Sequence, residues 1–374
     1  MTATPKVFSD AMARKAEEAD ALIADMNNES IYGPEFHRLG FGEAVERDIL
    51  TDYKVVVLAV DEQYVAEKFQ RELAAEDNQL NLEDTAKIVG CWNGLSKRAL
   101  KPDDFNSDPQ PMKRAVAFAR TIAESKTIAT MFQQVVDKEM SQDPDGVGLR
   151  CEVQHVDGTF SSFDRNEKLD WLKQEPAEGT ARILSNARCL TEGVDVPALD
   201  AIMFLKPRDS QIDVVQAVGR VMRKLEGKKY GYVILPIAVP AGVDPETALS
   251  DNKKYKVVWQ VLQALRSHDE RFDAMVNRID LTGKSPQIEI LGVGGESPDE
   301  SVSWGQTTLQ FPNFDAWKDA ILAKIVEKVG ERRYWEKWAG DVADIARRHI
   351  LLINTAIDSG DAEIRKQFET FLQG

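Results

Sequence analysis

Apolar runs that are short, rich in β-branched residues and spaced tens of residues apart set the pattern of this chain. Tyr53-Lys-Val-Val-Val-Leu-Ala-Val60 is nearly continuous rather than alternating, as expected of a strand buried on both faces. Ala115-Val-Ala-Phe118, Cys151-Glu-Val-Gln-His-Val156, Ala181-Arg-Ile-Leu-Ser185, Ala201-Ile-Met-Phe-Leu205 and Tyr230-Gly-Tyr-Val-Ile-Leu235 predict further strands. Helical spacing lies between most of them, near residues 64–96, 122–136, 166–174 and 210–222, with a turn at Asp143-Pro-Asp-Gly146. Strand and helix in alternation over this span predict a doubly wound, largely parallel α/β sheet.

The texture changes after Pro236. Ala241-Gly-Val-Asp-Pro245 reads as a linker and residues 252–278 as a strong helix. The polar, Gly/Ser/Pro-rich stretch 282–304 reads as a loop or exposed hairpin, and 314–372 as three amphipathic helices broken near Gly330 and Gly360. No internal repeat is visible.

Composition excludes some classes. No apolar run approaches the roughly 18 residues of a membrane span, and no signal peptide opens the chain. Three scattered cysteines (Cys91, Cys151, Cys189) and four histidines give neither a disulfide framework nor a metal cluster, so no metal site is expected and a reducing cytoplasm fits. A formal charge of -15 argues against coating nucleic acid by bulk positive charge. A local phosphate track is still permitted, because residues 181–231 hold nine basic side chains against six acidic ones.

Two segments carry candidate chemistry. In Gln216-Ala-Val-Gly-Arg220-Val-Met-Arg223, helical spacing would set Gln216, Arg220 and Arg223 on one face. Guanidinium groups are permanently charged and bind phosphate oxygens bidentately, so such a stripe suits a γ-phosphate carrying transition-state charge. A solvated basic face with Val218 and Met222 turned inward is the plainer alternative. The second segment, Ser185-Asn-Ala-Arg-Cys-Leu-Thr191-Glu-Gly193-Val-Asp195-Val-Pro197, leaves the C-terminal end of a predicted strand, where ligands bind in open α/β sheets. There Gly193 allows close backbone approach, Asn186 and Thr191 can donate to phosphate oxygens, and Asp195 can orient an arginine or a water. The alternative is an ordinary strand-to-helix connection.

In this order and spacing, the two segments resemble motifs V and VI of superfamily 2 helicases. Thr2-Ala-Thr-Pro5 is similar to motif III, Val116-Ala-Phe-Ala-Arg120 to motif IV, and His155-Val-Asp-Gly158 with Ser162 and Arg165 to the segment that holds DNA phosphates in the second lobe. Tyr32-Gly-Pro-Glu-Phe-His-Arg-Leu-Gly-Phe-Gly-Glu-Ala-Val-Glu-Arg47, followed by Leu50-Thr-Asp-Tyr-Lys54, resembles the interlobe segment of restriction-modification motors, Type ISP enzymes above all.

The resemblance implies a division into residues 1–51, the end of a first RecA-like lobe and its linker; 52–240, a second RecA-like lobe; and 241–374, a helical coupler. It implies a motor driven by ATP and Mg2+, both held mainly by a first lobe whose phosphate loop and acidic motif would lie before Thr2, so the chain is expected to be a fragment inactive as an ATPase alone. Arg220, Arg223 and Gln216 would serve catalysis, Gly193 and Asp195 the nucleotide, and Thr2 and Thr4 coupling. His155, Gly158, Arg165, Asn186 and Thr191 would serve the DNA backbone. The partners implied are the DNA phosphate backbone, the N-terminal lobe of the same parent, and nuclease and methyltransferase domains. Two imitations are set aside: Gly283-Lys-Ser285 lacks the upstream glycine of a phosphate loop, and the Val55–Glu62 strand with its acidic pair falls on the wrong side of motif III. A non-catalytic DNA- or protein-binding module derived from a helicase lobe is the rival function, and a nucleotide-binding regulator of unrelated type is a third.

Overall fold

A computed structural model describes residues 29–34, 39–74, 81–97, 108–141, 148–187, 196, 199–206, 211–251, 254–272, 274–276, 287–294 and 314–329. Seven strands form one sheet: β1 (Asp52–Asp61), β2 (Arg114–Ala119), β3 (Arg150–Asp157), β4 (Thr180–Ala187), β5 (Ala201–Phe204), β6 (Tyr230–Val239) and β7 (Ile288–Val293). Their order is β3-β4-β2-β5-β6-β1-β7, and every pairing is parallel. The helices used below are α1 (Phe41–Glu46), α2 (Glu62–Lys68), α3 (Leu82–Ser96), α4 (Ile122–Ser141), α5 (Ser162–Lys173), α6 (Gln211–Val221), α7 (Pro245–Leu249), α8 (Lys256–Arg266) and α9 (Phe314–Val329).

The continuous apolar runs follow from the layering. On β1, Tyr53, Val55, Val57 and Ala59 face one core while Val56, Leu58 and Val60 face the other. Helices α2, α3 and α4 cover the second face; α5, α6, α7, α8 and α9 cover the first. The connections that run toward β3, through α3 and α4, therefore lie on the face opposite to those that run toward β7. A single crossover hand requires that separation. The doubly wound, parallel α/β architecture expected from the pattern is the one observed, as is the RecA-like fold that the resemblance implies.

The stretch 282–304 departs from expectation. Rather than loop or exposed hairpin, it contains β7, which pairs in parallel with β1 from Val55↔Ile288 to Val60↔Val293. Lys54 Nζ meets Glu289 Oε1 at 2.6 Å on this edge, and Gly292 lets Phe314 of α9 lie against the strand: a Cβ there would sit 2.5 Å from the ring. The sheet therefore continues past residue 240, and α8 and α9 share the core of β1, β5 and β6. The acids ending β1 are both engaged. Asp61 caps α2, accepting from Gln63 N at 2.9 Å, and Glu62 meets Lys254 Nζ at 2.7 Å. Residues 1–28 with Thr2 and Thr4, the Gly283-Lys-Ser285 segment, and 330–374 lie outside the described residues. Among the described residues no helix is long and apolar enough to cross a membrane.

Candidate nucleotide and nucleic-acid interface

Adjacent strands β2 and β4 connect onward in opposite directions, β2 to β3 and β4 to β5. Such a switch point opens a crevice at the C-terminal strand ends, where open α/β sheets bind ligands. Phe118 of β2 pairs with Asn186 of β4, and His155 of β3 pairs with Ser185, so these residues line up across the three strands at that edge.

Two helices start from the same edge, and each is capped by its own side chains. Thr121 Oγ1 accepts from Glu124 N at 3.1 Å while Glu124 Oε2 accepts from Arg120 N and Thr121 N, a capping box at the start of α4. Ser161 Oγ accepts from Asp164 N at 3.1 Å and donates to Asp164 Oδ2 at 2.8 Å at the start of α5. Arg120 is exposed; Arg165 is half-buried, its guanidinium 3.3 Å from Ser162 Oγ. Phe163 between them is 78% exposed. Gly158 stands in open space: a Cβ there would meet nothing within 4 Å.

His155 is placed inward. Its side chain is only 12% exposed, with Nε2 2.7 Å from Asp157 Oδ2 and Nδ1 2.8 Å from Ser125 Oγ of α4. Ser125 Oγ lies 2.8 Å from Ser185 Oγ, which donates to the Ser125 carbonyl at 2.9 Å. Both ring nitrogens of His155 stand within hydrogen-bond distance of a partner, whichever of them carries hydrogen. Asp157 completes the chain, its Oδ1 accepting from Thr159 N at 2.7 Å and Thr159 Oγ1 at 2.6 Å. Burial acts to raise the Asp157 carboxyl, but the bonds from Thr159 and His155 outweigh it and hold the group at about 2. With both nitrogens engaged, the ring has none left for the phosphate contact expected of it. Asn186 is likewise fully buried. Sequence reading missed Ser125, Asp157 and Ser185; the Asp-Gly-Thr turn after β3 was the available signal for Asp157.

The arginine segment lies on the face covered by α6. Gln216 and Arg220 are one turn apart on α6, both half-buried. Arg220 lines a small cavity with Val116, Phe118, Val196, Leu199, Ile202 and Ala217. Arg223 corrects the expected stripe, because α6 ends at Val221. Arg223 instead makes an isolated antiparallel bridge with Leu50, and Thr51 N donates to Met222 O at 2.7 Å. Lys228 Nζ gathers the freed carbonyls, reaching Val221 O at 2.5 Å, Leu199 O at 2.7 Å and Arg223 O at 3.2 Å. Burial pushes its ammonium down to about 8, opposed by the charge of Asp200. Val218 and Met222 are buried, as the plainer reading of the helix had them.

Residues 41–52 lie against this segment. Phe41 approaches Gly219 of α6 and stands edge-on to Tyr53, its N–H donates to His268 O at 3.0 Å, and Lys224 pairs with Asp48. A cleft of about 450 Å³, lined by Asp48, Asp52, Lys224, Lys228 and Lys229 among others, opens between the two. Thr191, Gly193 and Asp195 lie outside the described residues, so three expected site positions are not placed.

Residues 108–224 match the helicase conserved C-terminal domain, and residues 334–374 match the coupler domain of Type ISP restriction-modification enzymes. The structure of the ATP-dependent Type ISP enzyme LlaBIII bound to DNA aligns over 100% of this chain at 46% identity with a TM-score of 0.74. A nuclease-deletion mutant of the Type ISP enzyme LlaGI, in complex with a DNA substrate mimic, aligns over 100% at 34% identity and 0.52. A probable helicase of African swine fever virus (isolate Tick/Malawi/Lil 20-1/1983) is 24% identical over 247 residues, 66% of this chain. The chain spans only 24% and 20% of the two Type ISP structures and 24% of the viral protein. Residues 108–224 are thus similar to a helicase C-terminal domain, and the chain as a whole is similar to a part of Type ISP restriction-modification enzymes.

Proposed function

We propose that this chain is the second half of an ATP-dependent DNA translocase motor from a restriction-modification enzyme, idle as an ATPase until a first RecA-like lobe faces it. The observation that carries this reading is the alignment of the whole chain with a DNA-bound Type ISP enzyme at 46% identity.

The residues present fit one side of a nucleotide site. Gln216 and Arg220 share a face of α6 without being sealed in the core, so a phosphate presented across a cleft is within their chemistry. Among the described residues no group of His, Cys, Asp and Glu gathers for a metal. On this reading the phosphate loop, the Mg2+ carboxylates and the water-orienting acid belong to the facing lobe. ATP with Mg2+, when bound there, supplies the phosphoryl group whose hydrolysis drives the cycle. In this chain Arg220 stabilises charge on the phosphate oxygens, and Gln216 orients the guanidinium or the phosphate. Arg223, off the helix, acts from the segment that is bridged to Leu50. Arg165, the Gly158 backbone and Thr191 hold the DNA backbone, while Gly193 and Asp195 face the nucleotide. Phosphate contacts carry no sequence information, so movement along DNA is sequence-independent.

DNA-stimulated ATP hydrolysis by this chain, alone and fused to a first lobe from a Type ISP parent, tests the proposal. Silence alone and turnover in the fusion, abolished by Arg220→Ala with ATP binding retained, is the expected outcome. Robust hydrolysis by the chain alone, or normal turnover of Arg220→Ala, overturns it.

A further inference from the structure

We propose that Ser125, His155 and Asp157 form a positioning relay that fixes the turn after β3 to the C-terminal end of β4, with His155 acting through its neighbours rather than on DNA. The functional half of this inference rests on the translocase reading; the mechanical half does not.

The chain of contacts is continuous. Ser185 belongs to β4, two residues before the strand ends at Ala187. Its hydroxyl meets Ser125 on the first turn of α4, and Ser125 meets the His155 ring. His155 meets Asp157, and Asp157 closes the Gly158–Phe160 turn through the N–H and hydroxyl of Thr159. Three segments separated by 30 residues or more in sequence are thereby joined by side-chain hydrogen bonds, which add to the backbone pairing of β3 with β4.

Burial gives the relay its stiffness. Ser125, Ser185 and Asp157 are completely buried, so no water stands ready to replace a lost partner. In such surroundings a polar network is held only when all its members are satisfied. Displacement of the 158–160 turn therefore strains the end of β4, and the reverse. Phe160 lies edge-on to His155 with ring centroids 5.9 Å apart, which keeps the imidazole in the plane that serves both Ser125 and Asp157. The loop after β4 contains Gly193 and Asp195 and the loop after β3 leads to Arg165, so on the translocase reading the relay joins nucleotide-side and DNA-side contacts.

Backbone hydrogen exchange and imidazole 15N spectra of this chain, with Ser125→Ala, His155→Asn and Asp157→Asn, test the mechanical half. Ser125→Ala is expected to speed exchange in both the 158–160 turn and residues 185–187, by about tenfold or more for the loss of one buried partner, and to shift the His155 Nδ1 resonance. Faster exchange beside α4 only, with the 158–160 turn unchanged, overturns the relay. The fused motor tests the functional half. There Ser125→Ala is expected to lower DNA-saturated ATP turnover about tenfold while the apparent Kd for DNA changes less than about threefold, and Arg165→Ala to weaken DNA binding instead. A salt dependence of DNA binding reduced by about one phosphate in His155→Asn would make His155 a direct contact and overturn its positioning role. Coupled exchange in a wild-type fusion that neither binds DNA nor hydrolyses ATP would leave the relay standing and sink the translocase reading.

Discussion

Leu50 and Arg223 face each other in a single antiparallel bridge, although 173 residues of an otherwise parallel domain separate them. The bridge takes Arg223 off α6 and ties it to residues 41–52, so displacement of that segment must pull on the arginine. Next to it, Thr51 N donates to Met222 O at 2.7 Å. Thr51→Pro removes this donor and should cost about 1–3 kcal/mol, seen as a lower denaturant midpoint with unchanged slope. Thr51→Ala keeps the N–H and should lose far less. Equal midpoints for the two variants would show that the bond contributes nothing.

Gly231 of β6 lies under the end of α6, where an added Cβ would sit 2.4 Å from Val221 O and 2.9 Å from its carbonyl carbon. Backbone cannot yield as a flexible side chain does, so Gly231→Ala must push the helix end, and Arg220 with it, away from the sheet. A loss of about 2 kcal/mol or more is expected, together with reduced turnover in the fused motor. Gly158→Ala is the matched control, since its Cβ meets open space and should change stability by less than about 1 kcal/mol. Weaker DNA binding by a stable Gly158→Ala protein would then place DNA against that turn.

What the sequence made legible follows the same physics. β1, β2, β5 and β6 are buried on both faces, so they are unbroken apolar runs whatever surrounds them. Ile288-Glu-Ile-Leu-Gly-Val293 is an edge strand inside a polar, Gly-rich stretch, and only the presence of β1 beside it makes it a strand. Arg223 was placed on a helix because residues 216, 220 and 223 fall at helical spacing and no Pro interrupts them. The helix is ended instead by Leu50 from one side and Lys228 from the other, and neither is local information. His155 matched a DNA-contacting pattern, but the ring's partner Ser125 is 30 residues away and marked by no motif.

Asp157 should leave a signature in acid stability. Its carboxyl is held at about 2 in the folded chain against an ordinary value of 3.8. Such a group contributes fully above its unfolded pKa and loses the contribution as pH falls through the folded one. The stability gap between wild type and Asp157→Asn should be constant above about pH 5 and should close between about pH 4 and 2. Denaturant titrations across that range measure it. A gap that stays constant down to pH 2 would mean that the carboxylate is not favoured by its partners.

The reach of the α/β lobe along the chain is settled by truncation. A chain ending at 240 lacks α8, whose Val257, Val258, Trp259, Val261, Leu262 and Leu265 are buried in the core shared with α6 and β1. Each such side chain is worth about 1.5–3 kcal/mol, while a whole domain retains about 5–15 kcal/mol, so losing α8 alone removes an amount comparable to the net stability. The same truncation deletes β7 and uncovers the backbone edge of β1, an invitation to strand addition by other copies. A chain of residues 39–240 should therefore aggregate or remain unfolded, and one of residues 39–329 should fold cooperatively, as read by denaturant unfolding and size-exclusion chromatography. A stable monomer from 39–240 would return β7, α8 and α9 to a separate appendage and place the lobe's end at the linker after β6.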